Sequence, residues 1–259
     1  LKLSQFSKLC LHFGCLAALV GCSPSPKNAV APPERLAIPV FHPDPATAGS
    51  IVGTIRYTGR RPPLKPIDMS EDPACVAAHH GKAHDESLDV APNGSLANVF
   101  IYVKGGLEGK RFGTPSTPVT IDQNGCWFRP RVFGIQTGQP FQVTNSDPVT
   151  HNIHPMAQIN REWNHSQGAG DPPITRRFLK PEVMIAVKCN IHRWMHAYIG
   201  VVDNPYFAVS KEDGSYTIGN LPPGTYTVAV WQESLGTEEQ QVTIAPHQQT
   251  ALNVTFKGH

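Results

Sequence analysis

Cys189-Asn190-Ile191-His192-Arg193-Trp194-Met195-His196 places a thiol, an imidazole and a thioether within seven residues, in the spacing C-x-x-H-x-x-M. The residues just before it alternate as a half-buried strand does. Val183, Ile185, Val187 and Cys189 fall on one face, and Met184, Ala186 and Lys188 on the other. The first face is apolar throughout, so Cys189 is expected to point into a core. A thiolate buried there is costly unless a metal neutralises it. A few residues of loop then suffice to fold His192 and Met195 back over the same point, with Asn190 opening a polar turn.

Working outward, a second source of imidazole lies upstream at His151-Asn152-Ile153-His154. Two imidazoles, one thiolate and a weak axial thioether form the donor set of a blue-copper electron-transfer site. The surroundings read as all-β. Short apolar runs alternate with Gly, Pro, Asn and Asp turns, and no long stretch has a 3.6-residue period. Expected strands cover 50–57, 98–103, 118–122, 140–144, 183–189, 198–202, 215–218, 225–231, 239–244 and 251–256. That many short strands over 200 residues suggests two β-sandwich units.

Residues 117–203 resemble the cupredoxins, with the short ligand-loop spacing of the amicyanins. Val119-Thr120-Ile121-Asp122-Gln123 is similar to the first strand, and 140–154 is similar to the strand and loop that deliver the first histidine ligand. The resemblance implies a Greek-key β-sandwich (116–203) holding one type-1 copper through His151, Cys189, His192 and axial Met195. His154 is an alternative to His151, and His196 an alternative to Met195. An Asn, either Asn145 or Asn152, would hydrogen-bond across to the Cys loop. The edge of His192 would be the electron's exit, with Trp194 and Pro155 as an apolar docking patch around it.

A second resemblance lies further on. Asp213-Gly214 turns into Ser215-Tyr216-Thr217-Ile218, and Leu221-Pro222-Pro223-Gly224 turns into 225–231. This is similar to the carboxypeptidase regulatory-like, transthyretin-like β-sandwich. Such a module needs an opening strand of the form G-x-V-x-G, and residues 49–59 look like one although they lie far upstream. The expectation is a discontinuous sandwich, 48–115 with 204–259, and the copper unit inserted between its parts.

Six cysteines occur. If Cys189 binds metal, Cys75 and Cys126 are free to form a disulfide. Its rival is a second metal site at Cys75 with His79, His80 and His84, in a stretch that otherwise reads as a solvated loop. Cys10, Cys15 and Cys22 fall in residues 1–22, which read as a secretory signal: Lys2 and Lys8, an apolar run, and no acid. Leu19-Val20-Gly21-Cys22 resembles a bacterial lipobox, implying lipidation at Cys22. Residues 23–47 are Pro-rich and read as a disordered tether. The body would then stand on the periplasmic side of a bacterial membrane, the outer membrane favoured, or at the cell surface.

The chain carries 22 basic and 20 acidic residues, and loss of Lys2 and Lys8 with the signal would balance them. Nothing in this balance suggests nucleic acid. No His-x-His pair occurs, as a multicopper oxidase would need, and no nucleophile elbow, phosphate loop or zincin motif. An electron carrier is therefore expected, not an enzyme, with a cytochrome or membrane oxidoreductase as redox partner. The alternatives are a copper carrier or storage protein, and a structural or glycan-binding lipoprotein whose cupredoxin fold is non-functional.

Overall fold

The structure is a computed structural model that describes residues 38–258 apart from Gly81. The signal segment, Cys22 and the first part of the tether lie outside the described residues. In chain order the elements are β1 (Gly49–Thr58), α1 (Pro73–His79), β2 (Phe100–Gly105), β3 (Val119–Gln123), β4 (Phe128–Arg129), β5 (Val132–Gln136), β6 (Phe141–Asn145), β7 (His151–Pro155) and β8 (His165–Gln167). They continue with β9 (Ile174–Arg176), β10 (Glu182–Lys188), β11 (His196–Val202), β12 (Phe207–Val209), β13 (Ser215–Leu221), β14 (Gly224–Gln232), β15 (Gly236–Ile244), β16 (Gln249–Ala251) and β17 (Val254–Lys257).

Two β-sandwiches result. One stacks the sheet β5-β11-β10-β7-β8 on the sheet β4-β3-β6-β9. Its core holds Ile121, Phe128, Phe141, Val143, Ile153, Phe178, Ile185, Val187 and Ile199. The other pairs β13-β1-β16, with β17 also on β1, against β12-β2-β14-β15, around Ile51, Ile55, Leu96, Ile101, Tyr216, Val228 and Val230. Among the described residues, the strands that pair with the opening strand β1 all follow residue 204, with one isolated bridge from Arg56 to Ser95. Between β12 and β13, Asp213-Gly214 makes the turn: Asp213 Oδ1 accepts from Ser215 N–H at 2.9 Å. Gly214 sits at φ +78° with the Ile55 carbonyl where a Cβ would be, a position closed to other residues.

The two sandwiches meet along a seam of their own, built on Phe100, Val132 and Val202 with Tyr198, Phe207 and Trp231 packed against them. Gly134 and Gly200 lie side by side in the paired strands β5 and β11. A Cβ on either would fall 2.4 Å from the Phe207 or Phe100 ring respectively, so the missing side chains are what let the seam close. Arg131 and Glu233 form an ion pair across it at 2.7 Å, 4% and 8% exposed.

Four expectations need correction. Part of the segment 48–115 does not stay with the regulatory-like half: Met69, Cys75 and Ala83 join the core of the first sandwich, because the chain after β1 crosses over before Leu88, Val90 and Leu96 return to the second. Within that excursion, the stretch read as a solvated loop begins in the helix α1. Asp72 caps it and Pro73 occupies its first turn, where a missing N–H costs nothing. The tether expected to be disordered to residue 47 is bonded from its described start: Arg111 Nε donates to Ile38 O at 2.7 Å and Phe41 N–H to Arg111 O at 2.6 Å. Finally, Val183 is at the surface and Glu182 is buried. The pairing of β10 with β11 slips between Glu182 and Ile185, which flips the side chains beyond it; only Ile185, Val187 and Cys189 share the buried face.

Candidate metal centre

The site lies at one end of the first sandwich. β7 presents His151, the residue after β10 is Cys189, and the loop into β11 carries His192 and Met195. That loop is tight because it bonds to itself: Cys189 N–H donates to Met195 O at 3.2 Å and Met195 N–H to His192 O at 3.0 Å. Asn152, one residue past His151, locks the loop to β7 by accepting from Asn190 N–H at 3.0 Å through Oδ1. Asn145 instead donates to Val149 O and Gln167 O, so the Asn that crosses to the Cys loop is Asn152.

His151, Cys189 and His192 are all buried, and one donor atom from each lies within 4.8 Å of the others. Among the described residues Cys189 is the free cysteine. Its sulfur accepts from the amides of Asn152 at 3.4 Å and His192 at 3.3 Å. Burial pushes the thiol up, but His151 and these amides outweigh it and bring it below its usual range. Met195 is fully buried in the same core as Cys189.

The two imidazoles are held from behind. His151 Nε2 lies 2.8 Å from Asp147 Oδ2, and His192 Nε2 lies 3.2 Å from Asp72 Oδ2. A carboxylate can only accept, so both rings carry a proton on Nε2, and both Nδ1 nitrogens face the centre. Those two nitrogens are 2.9 Å apart. Two lone pairs that close repel unless a cation, a proton or a metal, lies between them. The charge balance agrees: burial alone would lower His151, but Asp147 and the Cys189 sulfur push it up to about 9. Burial lowers His192, with Asp72 opposing. Asp147 is anchored by the amides of Gly125 and Cys126, each at 2.7 Å. Cys75 and Cys126 are joined by a disulfide, which ties α1 to the same corner.

The structure brings the side chains of His151, Cys189 and His192 together, buries Met195 in the same core and leaves the alternatives outside. His154 bonds Glu162 and approaches Asn190 Oδ1 at 3.4 Å. His196 is exposed at the start of β11, opposite Lys188. His79 bonds the Gly125 carbonyl, and His80 closes α1 in a left-handed conformation; among the described residues neither joins a cluster with His84. His192, whose edge was expected to be the electron's exit, is 5% accessible as a residue, and its Nε2 faces Asp72. Trp194 is half-buried: its ring packs 5.1 Å from that of His192 and its Nε1 donates to Cys126 O at 3.1 Å. Pro155 is buried on β7.

Sequence reasoning passed over both carboxylates. Asp147 stands four residues before His151, a spacing that could have marked it. Asp72 lies 120 residues from His192, and no local pattern connects the two.

The family model described as carboxypeptidase regulatory-like domain matches residues 197–257. Its match begins within β11 of the first sandwich. Among solved structures the chain is similar to a copper-containing nitrite reductase from Thermus scotoductus SA-01, at 22% identity over 40% of this chain, with a TM-score of 0.32. It spans 25% of that protein's length. It is also similar to a reduced amicyanin variant, at 14% identity over 34% of this chain and 85% of the other, TM-score 0.30. A purple cupredoxin from Nitrosopumilus maritimus is 18% identical over 32% and 98%, TM-score 0.28. No curated protein matches the chain. Both components read from the sequence, cupredoxin and regulatory-like, recur among these likenesses.

Proposed function

We propose that the chain is a type-1 copper protein that passes single electrons between redox partners. We infer further that it works on the periplasmic side of a bacterial membrane, anchored by a lipid at Cys22, with a cytochrome or membrane oxidoreductase as partner. The observation that carries the reading is the buried convergence of two Nδ1 nitrogens and the Cys189 sulfur, with Met195 fully buried in the same core. Zinc shares the nitrogen and thiolate donors, but a weak thioether in the fourth place suits copper.

When bound, copper would supply a one-electron couple between Cu(II) and Cu(I). The protein's residues do the rest. His151 and His192 offer Nδ1 because Asp147 and Asp72 fix their tautomers. Cys189 offers a thiolate already favoured by two amides. Met195 would supply the thioether, the weakest donor of the set. Four protein donors would leave no open position for a substrate, which favours carriage over catalysis.

The spectrum of the copper-loaded protein tests this. An intense visible thiolate-to-copper band, abolished by Cys189→Ser and shifted by Met195→Leu, is the expected result. A colourless tetragonal copper signal would overturn it. A copper-handling role is the second reading, and the closed edge of His192 favours it, since a covered site suits retention. Slow electron exchange with small redox mediators, combined with tight copper retention, would select that reading.

A further inference from the structure

We propose that Asp72 is a positioning residue for His192 and, together with the Cys75–Cys126 disulfide, the closure of the metal site's outer edge. The inference rests on the reading of His192 as a metal ligand. Asp72 divides its two oxygens between two tasks. Oδ1 accepts from the Ala74 and Cys75 amides at 2.9 and 3.4 Å and caps α1. Oδ2 lies 3.2 Å from His192 Nε2, holding the ring with Nδ1 toward the centre.

This residue lies on no strand of the sandwich that holds the site. It arrives on the excursion between β1 and β2, and the disulfide fixes it there. The disulfide's other end is equally informative. Cys126 N–H donates to Asp147 Oδ2, the oxygen that also holds His151 Nε2. One covalent link therefore moors both carboxylates, each on a different imidazole, through Asp72–Cys75 on one side and Cys126–Asp147 on the other. Trp194, bonded to Cys126 O, packs the gap beside His192.

Asp72→Asn separates the tasks. The amide oxygen still caps α1, while the amide nitrogen now donates where an acceptor is needed. Two readouts are compared with the wild type. In the metal-free protein, 15N NMR reports which ring nitrogen of His192 carries the proton. In the loaded protein, competition with a chelator gives copper affinity. The expected results are loss of the Nε2–H tautomer preference and a weakening of copper binding by about 10- to 100-fold. Cys75→Ala/Cys126→Ala, which keeps Asp72 but removes its mooring, should change both in the same direction, and stands in if Asp72→Asn fails to fold. Unchanged His192 nitrogen shifts together with copper affinity within about twofold, in both variants, would overturn the proposal. If wild-type protein binds no copper, the proposed function fails, and the nitrogen shifts alone decide the role of Asp72.

Discussion

Each histidine at the centre has one ring nitrogen spoken for by a carboxylate, and this decides what the other can do. An imidazole left to choose its tautomer presents a lone pair at a given nitrogen only part of the time. Asp147 and Asp72 remove that choice, which lowers the free-energy cost of binding a cation. Carboxylates matter elsewhere too. Glu182 is buried and accepts from the Gln158 and Asn160 amides at 2.5 and 2.8 Å and from the Asn160 side chain at 3.0 Å. Burial would raise its pKa, but these donors prevail and lower it. A group whose folded pKa is lowered contributes stability above its unfolded pKa and loses it as pH falls through the folded value. Acid denaturation of the wild type should therefore steepen below about pH 4.5, the ordinary carboxyl value, and Glu182→Gln should flatten that limb while lowering stability at neutral pH. Denaturant titrations across pH would check this, and an unchanged acid limb would count against it.

Among the elements, β10 and its loop show what a period-2 reading can and cannot see. Ile185, Val187 and Cys189 share the buried face because alternation holds wherever the ladder is regular. Val183 departs because a slip in pairing depends on the neighbouring strand, which no local pattern encodes. The helix α1 was open to local reading, since Asp72-Pro73 is a helix-start signal, yet its seven residues are too few to show a helical period. Its partner across the core, joined through Cys126, was open only to cysteine arithmetic. Removing the disulfide should destabilise the protein by about 2–5 kcal/mol, read from denaturant midpoints of Cys75→Ala/Cys126→Ala against wild type. A loss well under 1 kcal/mol would mean that packing alone holds α1. In β11, Gly200→Ala forces a methyl group to 2.4 Å from the fully buried Phe100 ring. Overpacking of this kind costs about 1–3 kcal/mol, and a neutral thermal melt would show that the seam can yield.

At the scale of the whole molecule, the seam makes the sandwiches one body. The Arg131–Glu233 pair is almost wholly dry, so Arg131→Met strands a buried carboxylate and should cost about 3–5 kcal/mol. With the apolar seam intact, calorimetry of the wild type should give one unfolding transition; two resolved transitions would refute a cooperative seam. The discontinuous second sandwich could be anticipated because its opening strand and its Asp213-Gly214 turn carry local signatures. The reverse excursion could not, since the stretch that carries Met69, Cys75 and Ala83 into the first core has few signals of where it packs. Each half thus lends a segment to the other: the sandwich with the candidate site sits between β2 and β12, and the loop between β1 and β2 reaches back over it. A recombination event that lifted residues 116–203 out as a cassette would carry off Cys126, Asp147 and the donor side chains, and would leave Asp72 and Cys75 behind. The transplanted piece would arrive with a stray thiol and an unguarded imidazole. For this architecture the two halves are a single unit of inheritance.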